Sequence, residues 1–94
     1  MPNYKNGKIY KIGYGNDIYI GSTTAPLSQR MAQHRYTYKN KLKDITVHSI
    51  FDKHGLDKCY IELIEVYPCK NKKELEKRET KYINHFKTVN INKK

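Results

Sequence analysis

Ninety-four residues suffice for one domain, 1–94, with a modest core at about 8–92, since folding at this size buries roughly 60–65% of the extended chain's surface. No apolar run approaches the ~20 residues that cross a bilayer and no charged-then-apolar leader opens the chain, so the expectation is a soluble intracellular protein, neither secreted nor in a membrane. Nineteen Lys and Arg against nine Asp and Glu leave a net charge of +10, and nine tyrosines interleave with the lysines, a balance that favours polyanions and makes nucleic acid the expected partner.

Residues 1–7 have no periodicity and read as a loose lead-in. Two β-branched and aromatic runs, 8–12 and 17–20, flank Gly15-Asn16-Asp17, where Gly and Asn accept positive φ, and so predict a β-hairpin. Period-2 alternation turns Ile9 and Ile20 away from their neighbours and leaves Tyr10 and Tyr19 to share the opposite face. Two phenols on a ribbon can be plain surface aromatics.

Ser22, Thr23 and Thr24 offer helix N-caps and Pro26 suits a first turn, predicting a helix to about Lys39. Leu27, Met31, His34 and Tyr38 fall at i, i+4, i+7 and i+11 on its inward stripe, with Arg30 on the stripe's edge. Arg30 and His34, four apart, point the same way. Either alone can be a snorkelling or satisfied structural residue; beside a tyrosine-bearing hairpin the two together read as a site.

A basic link over 39–43 leads to a second helix at 44–54, carried by Ile45, Ile50 and Phe51 and stopped by Gly55. The run 59–67, with Ile61, Leu63, Ile64 and Val66, predicts a third strand, more buried than the hairpin arms and ended by Pro68. Alternation sets Glu62 and Glu65 on opposite faces, so they form no carboxylate pair. Cys59 and Cys69 lack CxxC spacing and read as reduced thiols. Asn71 followed by Glu74 has capping-box spacing and starts a third helix with Leu75, Glu79, Tyr82 and Phe86 on its inward stripe. A carboxylate in an apolar seam needs a partner, because burying an unpaired charge costs several kcal/mol. Either Arg30 pairs with Glu79, or Glu79 is kept charged to hold a metal. The segment 89–92 is short and extended, with Ile91 able to pack back.

Lys8-Ile9-Tyr10 and Tyr19-Ile20-Gly21, separated by eight residues and followed by a helix carrying Arg30, resemble the paired motifs of the GIY-YIG endonuclease family. Lysine stands where the family's name has the first glycine. The order strand, strand, helix, helix, strand, helix is that domain's layout, so the resemblance implies an α+β fold: a small, mostly antiparallel three-stranded sheet flanked by about three helices, ββααβα. Carried over by position, it implies that Tyr10 and Tyr19 are the motif tyrosines with Ile9, Ile20 and Gly21 as motif framework. It implies that Arg30 contacts phosphate, that His34 lies one turn on, that Glu79 binds the metal, and that Asn90, or its neighbour Asn92, is the late asparagine. His48 takes no role, and His54 and His85 are expected at the surface.

The implied function is metal-dependent hydrolysis of DNA phosphodiester bonds. One carboxylate suits a single Mg²⁺ (or Mn²⁺), which keeps several waters. A phenol with pKa ~10 is only about one part in 10³ ionised at pH 7. Tyr10 therefore needs its pKa lowered, or His34 takes the proton itself. The rival readings are an inactive nucleic-acid-binding module of the same fold and an unrelated RNA-coating protein. One site cuts one strand, so a double-strand break needs a homodimer or two visits.

Overall fold

A computed structural model describes residues 3–15, 17–40 and 47–86, with Phe86 described in its backbone only. The elements run β1 (Lys8–Tyr14), β2 (Asp17–Thr23), α1 (Leu27–Lys39), α2 (Val47–His54), β3 (Tyr60–Val66) and α3 (Lys72–Phe86). The sheet order is β2-β1-β3 with both pairings antiparallel, so the expected α+β architecture and ββααβα order hold. The start of the second predicted helix (44–46), the Phe86 side chain and the segment 89–92 lie outside the described residues. No described helix is long and apolar enough to cross a membrane.

The hairpin arms are longer than their apolar runs because Tyr14 pairs with Asp17 and Lys8 with Thr23, carrying the ladder to both ends of the motif. Gly15 takes φ +62° at the turn, a conformation that a side chain makes costly. Lys11 lies opposite Ile20 and Ile12 opposite Tyr19, so Tyr10, Ile12, Tyr19 and Gly21 share one face and Ile9, Ile18, Ile20 and Ser22 the other. Both faces are covered. Tyr10 and Ile12 pack with Met31 of α1, Val47, Ile50 and Phe51 of α2, and Cys59; Ile9 and Ile20 pack with Leu75 of α3. Burying each such aliphatic side chain contributes about 1.5–3 kcal/mol. A hairpin wrapped on both sides explains why Tyr10 is fully buried rather than a surface aromatic.

Several expectations need correction. The lead-in is not loose: Tyr4–Asn6 forms a 3₁₀ turn, and Tyr67 N donates to Gly7 O at 2.8 Å and Cys69 N to Tyr4 O at 2.9 Å. The hydroxyls of 22–24 do not cap α1, which starts at Leu27 with Pro26 in the cap position and no side-chain cap. β3 is less buried than the hairpin arms, with Tyr60, Leu63 and Val66 exposed, because β1 takes the central place. The β1–β3 register slips between Ile9 and Tyr10, pairing Glu65 with Ile9 and Glu62 with Lys11, so both glutamates face the α3 side. They still form no pair: Glu62 bridges Lys11 at 3.3 Å and Glu65 takes Arg78 bidentately at 2.7 and 2.8 Å.

His54 is not a free surface residue, for its Nε2 lies 2.7 Å from Asp17 Oδ2 and ties the end of α2 to the hairpin turn. His85 is exposed as expected. Asn71 caps α3 as expected, accepting from Glu74 N at 3.0 Å, while Glu74 Oε1 reaches one residue further back than a capping box requires and accepts from Lys70 N at 2.9 Å. Both cysteines are free thiols.

Gly21 carries the main prediction of this packing. The Tyr10 ring crosses β2 over Gly21, where a Cβ would collide with the phenol hydroxyl and approach Cζ to 2.5 Å. Gly21→Ala must displace a fully buried ring, and an expected loss of about 1–3 kcal/mol, read from denaturant midpoints, tests it.

Candidate active site

Crossing Gly21 brings the Tyr10 hydroxyl to the outer edge of the sheet, where α1 supplies its neighbours. Arg30 Nε donates to Tyr10 Oη at 3.2 Å, and Tyr10 Oη lies 2.9 Å from His34 Nε2. Oη thus accepts from Arg30, and with Tyr10 sealed from water its own proton has His34 Nε2 as its acceptor. That assigns His34 the tautomer with the proton on Nδ1. Gln33 steadies the far side of the guanidinium through its Oε1, 2.7 Å from Arg30 Nη1. Tyr19 meets the His34 ring edge-on at 5.9 Å between centroids. The i, i+4 spacing of Arg30 and His34 puts both on one phenol.

Glu79 arrives from α3, on the other side of the sheet. Ser22, which alternation places beside Ile20, donates its Oγ proton to Glu79 Oε1 at 2.5 Å. Glu79 Oε2 takes no described partner. Arg30 and Glu79 form no direct ion pair among the described residues, which removes the structural pairing that the sequence left open. The two groups act on each other only through space, the Arg30 charge favouring the ionised carboxylate.

The electrostatics follow from burial. Desolvation raises the Tyr10 pKa, and the opposing charge and hydrogen bond of Arg30 do not offset it. Tyr19 is raised strongly, by desolvation first and then by Tyr10 and Glu79. Glu79 is raised by desolvation, with the Ser22 bond opposing. His34 is pushed down to about 4 by burial, then by the charges of Arg30 and His48, so it is neutral at neutral pH.

Tyr10, Tyr19, Arg30 and His34 are brought together at one edge with Glu79 near enough to act on both phenols. Ile9 and Ile20 belong to the α3-side core and Gly21 to the crossing point. Asn90 and Asn92 lie outside the described residues. Sequence reasoning missed three contributors. Ser22 was weighed only as a cap, although alternation alone places it on the Glu79 side. Gln33 carries no signal beyond following Arg30 by three. His48, given no role, is buried and rests against Tyr38 and Phe51 at 5.2 and 6.0 Å, one step behind His34. Its place between Val47 and Ile50 was the available clue.

A family model described as the GIY-YIG catalytic domain matches residues 6–93. The chain belongs to the GIY-YIG family. No curated protein and no solved structure matches it significantly. The family is one of nucleases, which implies a nucleic-acid substrate, and its members generally use a divalent metal. Among the described residues no three His, Cys, Asp or Glu side chains cluster as a metal cage. Among the described residues the GIY-YIG site offers a single carboxylate, held through one oxygen by Ser22 and with no described partner at the other. Such a donor set fits a hard cation that keeps most of its waters, and does not fit zinc.

The buried imidazole makes a prediction about acid stability. Facing His34 are Tyr10 and Tyr19 from the sheet, Arg30 from its own helix and His48 from α2. Unfolded, its pKa is about 6.5; folded, it is about 4. The unfolded chain therefore takes up the proton first, and stability drains as pH falls from about 6.5 to about 4, by up to on the order of 3 kcal/mol. In His34→Gln the pH dependence across that window should flatten by comparable size, measured as denaturant midpoints against pH beside the wild-type protein.

Proposed function

We propose that this GIY-YIG protein is an endonuclease that hydrolyses DNA phosphodiester bonds, with 1–94 forming one catalytic domain. The observation that carries the reading is the Tyr10 hydroxyl, held between a guanidinium that donates to it and an unprotonated imidazole that accepts from it. A buried phenol serving only the core would need one partner; this one has a cation against its oxygen and an acceptor for its proton.

The raised Tyr10 pKa argues against a standing phenolate, so the proton does not wait on Tyr10. As the attacking water gives its proton to Tyr10 Oη, the phenol's own proton passes to His34 Nε2; the water oxygen bonds to phosphorus and the opposite ester P–O bond breaks, its leaving oxygen taking a proton from solvent. Tyr10 is then the relay and His34 the final acceptor. In the free protein Arg30 lies against the hydroxyl. A phosphate that draws the guanidinium toward its own oxygens uncovers Oη for water at the moment of binding and neutralises charge growing on the phosphorus oxygens. Tyr19 keeps its proton because of its strongly raised pKa, and so can donate to a phosphate oxygen but not act as base.

Glu79, oriented by Ser22, is the residue that would hold a divalent metal, Mg²⁺ or Mn²⁺. Such an ion, when bound, supplies charge stabilisation at the scissile phosphate. Asn90 is proposed as a further site residue on the family pattern. Retention of Tyr10, Arg30, His34 and Glu79 together favours a working enzyme over an inactive binding module, which has no use for a desolvated carboxylate. One copy holds one such site, so nicking is the expected primary product, and a double-strand break takes two copies or two visits.

Two substitutions test the roles. Tyr10→Phe removes only the hydroxyl and should lower the nicking rate of supercoiled plasmid on the order of 10²-fold or more, the usual scale for a lost proton-transfer group. Unchanged nicking would make Tyr10 a packing residue. Glu79→Gln should abolish nicking while DNA binding persists. Its melting temperature in EDTA should stay level or rise, because a desolvated carboxylate without a cationic partner no longer has to be buried. A melting temperature sharply lowered in EDTA would show that Glu79 serves the fold and would sink the metal-ligand role.

A further inference from the structure

Beside the site lies an open cleft of about 270 Å³, lined by Tyr4, Thr23, Thr24, Arg30, Lys72 and Glu76 among others. Its walls come from three places: the 3₁₀ turn at Tyr4–Asn6, the bend between β2 and α1, and the first turns of α3. Arg30 belongs to the cleft and to Tyr10 alike, so the cleft opens directly beside the proposed point of hydrolysis.

Its chemistry is that of a sugar-phosphate unit. Two cations, Arg30 and Lys72, enter from separate helices. Thr23 Oγ1 accepts from Ala25 N at 3.1 Å and keeps its own proton to give, while the Thr24 hydroxyl has no described partner. Tyr4 packs at its base against the Ile9, Ile20 and Leu75 cluster, leaving a fixed flat edge at the cleft. Glu76 is an opposing charge, 3.9 Å from Lys72, but both groups are well exposed and such a pair is weak.

A lysine braces the cleft. Lys8, in the position of the family's first glycine, donates from its ammonium to Asn6 O at 3.0 Å and to Ala25 O at 3.3 Å. One side chain thereby ties the wall that carries Tyr4 to the wall that carries the threonines.

We propose that this cleft is the subsite for the nucleotide next to the scissile bond, with Lys72 and Thr24 on its phosphate, Tyr4 against its sugar, and Lys8 setting the spacing of the walls. This rests on the nuclease reading.

The test uses the full chain and a set of labelled DNA duplexes in which one phosphate at a time is replaced by an uncharged methylphosphonate. Binding is measured by fluorescence anisotropy with Glu79→Gln protein, and nicking with protein that keeps Glu79. Lys72→Gln should weaken binding about fivefold and lower the log–log salt slope by about 1. It should raise KM with kcat little changed. The cost of neutralising one particular flanking phosphate should vanish in Lys72→Gln while the costs at the others persist, since removing either partner of one contact makes the second removal silent. Lys58→Gln is the charge control, because Lys58 precedes β3 at the hairpin-turn end while Thr23 pairs with Lys8 at the opposite end. Lys58→Gln should leave every phosphate's cost in place.

Thr24→Val, which keeps the packing, should raise KM, and Tyr4→Phe, which keeps the ring, should leave it little changed. Equal losses from Lys72→Gln and Lys58→Gln, or a Lys72→Gln effect spread evenly over all phosphates, would overturn the subsite. Absence of nicking by the wild-type protein strikes the hydrolase reading instead, and the coupling seen in binding judges the cleft by itself.

Discussion

The site hangs on one close approach: the ring of Tyr10 lying across Gly21. A side chain at 21 would close the gap, and the phenol would have to stay within the core between the sheet and its helices. With the gap open, the ring lies over the edge strand at Gly21 and its hydroxyl meets Arg30 and His34. The pairing of Tyr10 with Gly21 in the ladder is therefore a statement about chemistry as well as register. It accounts for this glycine beside this tyrosine more directly than either residue's propensity does.

Two consequences follow for the rest of the molecule. The edge is the only place where residues from opposite faces can meet, and Ser22 and Tyr10 do point to opposite faces. Ser22 carries α3's carboxylate to the edge from below as Gly21 lets the phenol come from above. A single β-strand dipeptide thus joins the two cores at the site. Burial then sets the charges: the groups that must give or hold protons are desolvated, which keeps His34 neutral and both phenols protonated in the resting state. The strongly positive field of the whole chain acts at longer range and bears on recruitment rather than on these protons.

Most of the fold was legible because its signals were local. The hairpin, the α1 stripe and the Asn71 cap of α3 each follow from spacings within about a dozen residues, and each formed as read. What failed depended on partners distant in sequence. Whether an apolar run such as 59–67 becomes a central or an edge strand depends on which neighbour pairs with it, and a one-residue slip opposite Ile9 redirected Glu62 and Glu65. The same applies to 22–24, where good capping residues were drawn to Glu79 and to their own bend. In the site, Arg30, His34 and Glu79 were visible as polar residues in apolar stripes, whereas Ser22, Gln33 and His48 carry ordinary sequence contexts.

The resting geometry also explains how a reactive site can be kept quiet in a highly basic protein. Tyr10 Oη is closed off by Arg30, the same group that a phosphate would recruit. On the proposed mechanism, opening the proton path and binding the substrate are one event, because the Nε–H that covers the phenol leaves it as the guanidinium turns toward a phosphate. Gln33 holds the far nitrogen, a second contact of the resting guanidinium. A neutral polyhydroxylated ligand filling the neighbouring cleft gives Arg30 no reason to move, so it leaves the phenol covered. On that proposal the anion itself uncovers the phenol relay, and selectivity for phosphate would arise at that step rather than in the shape of the cleft.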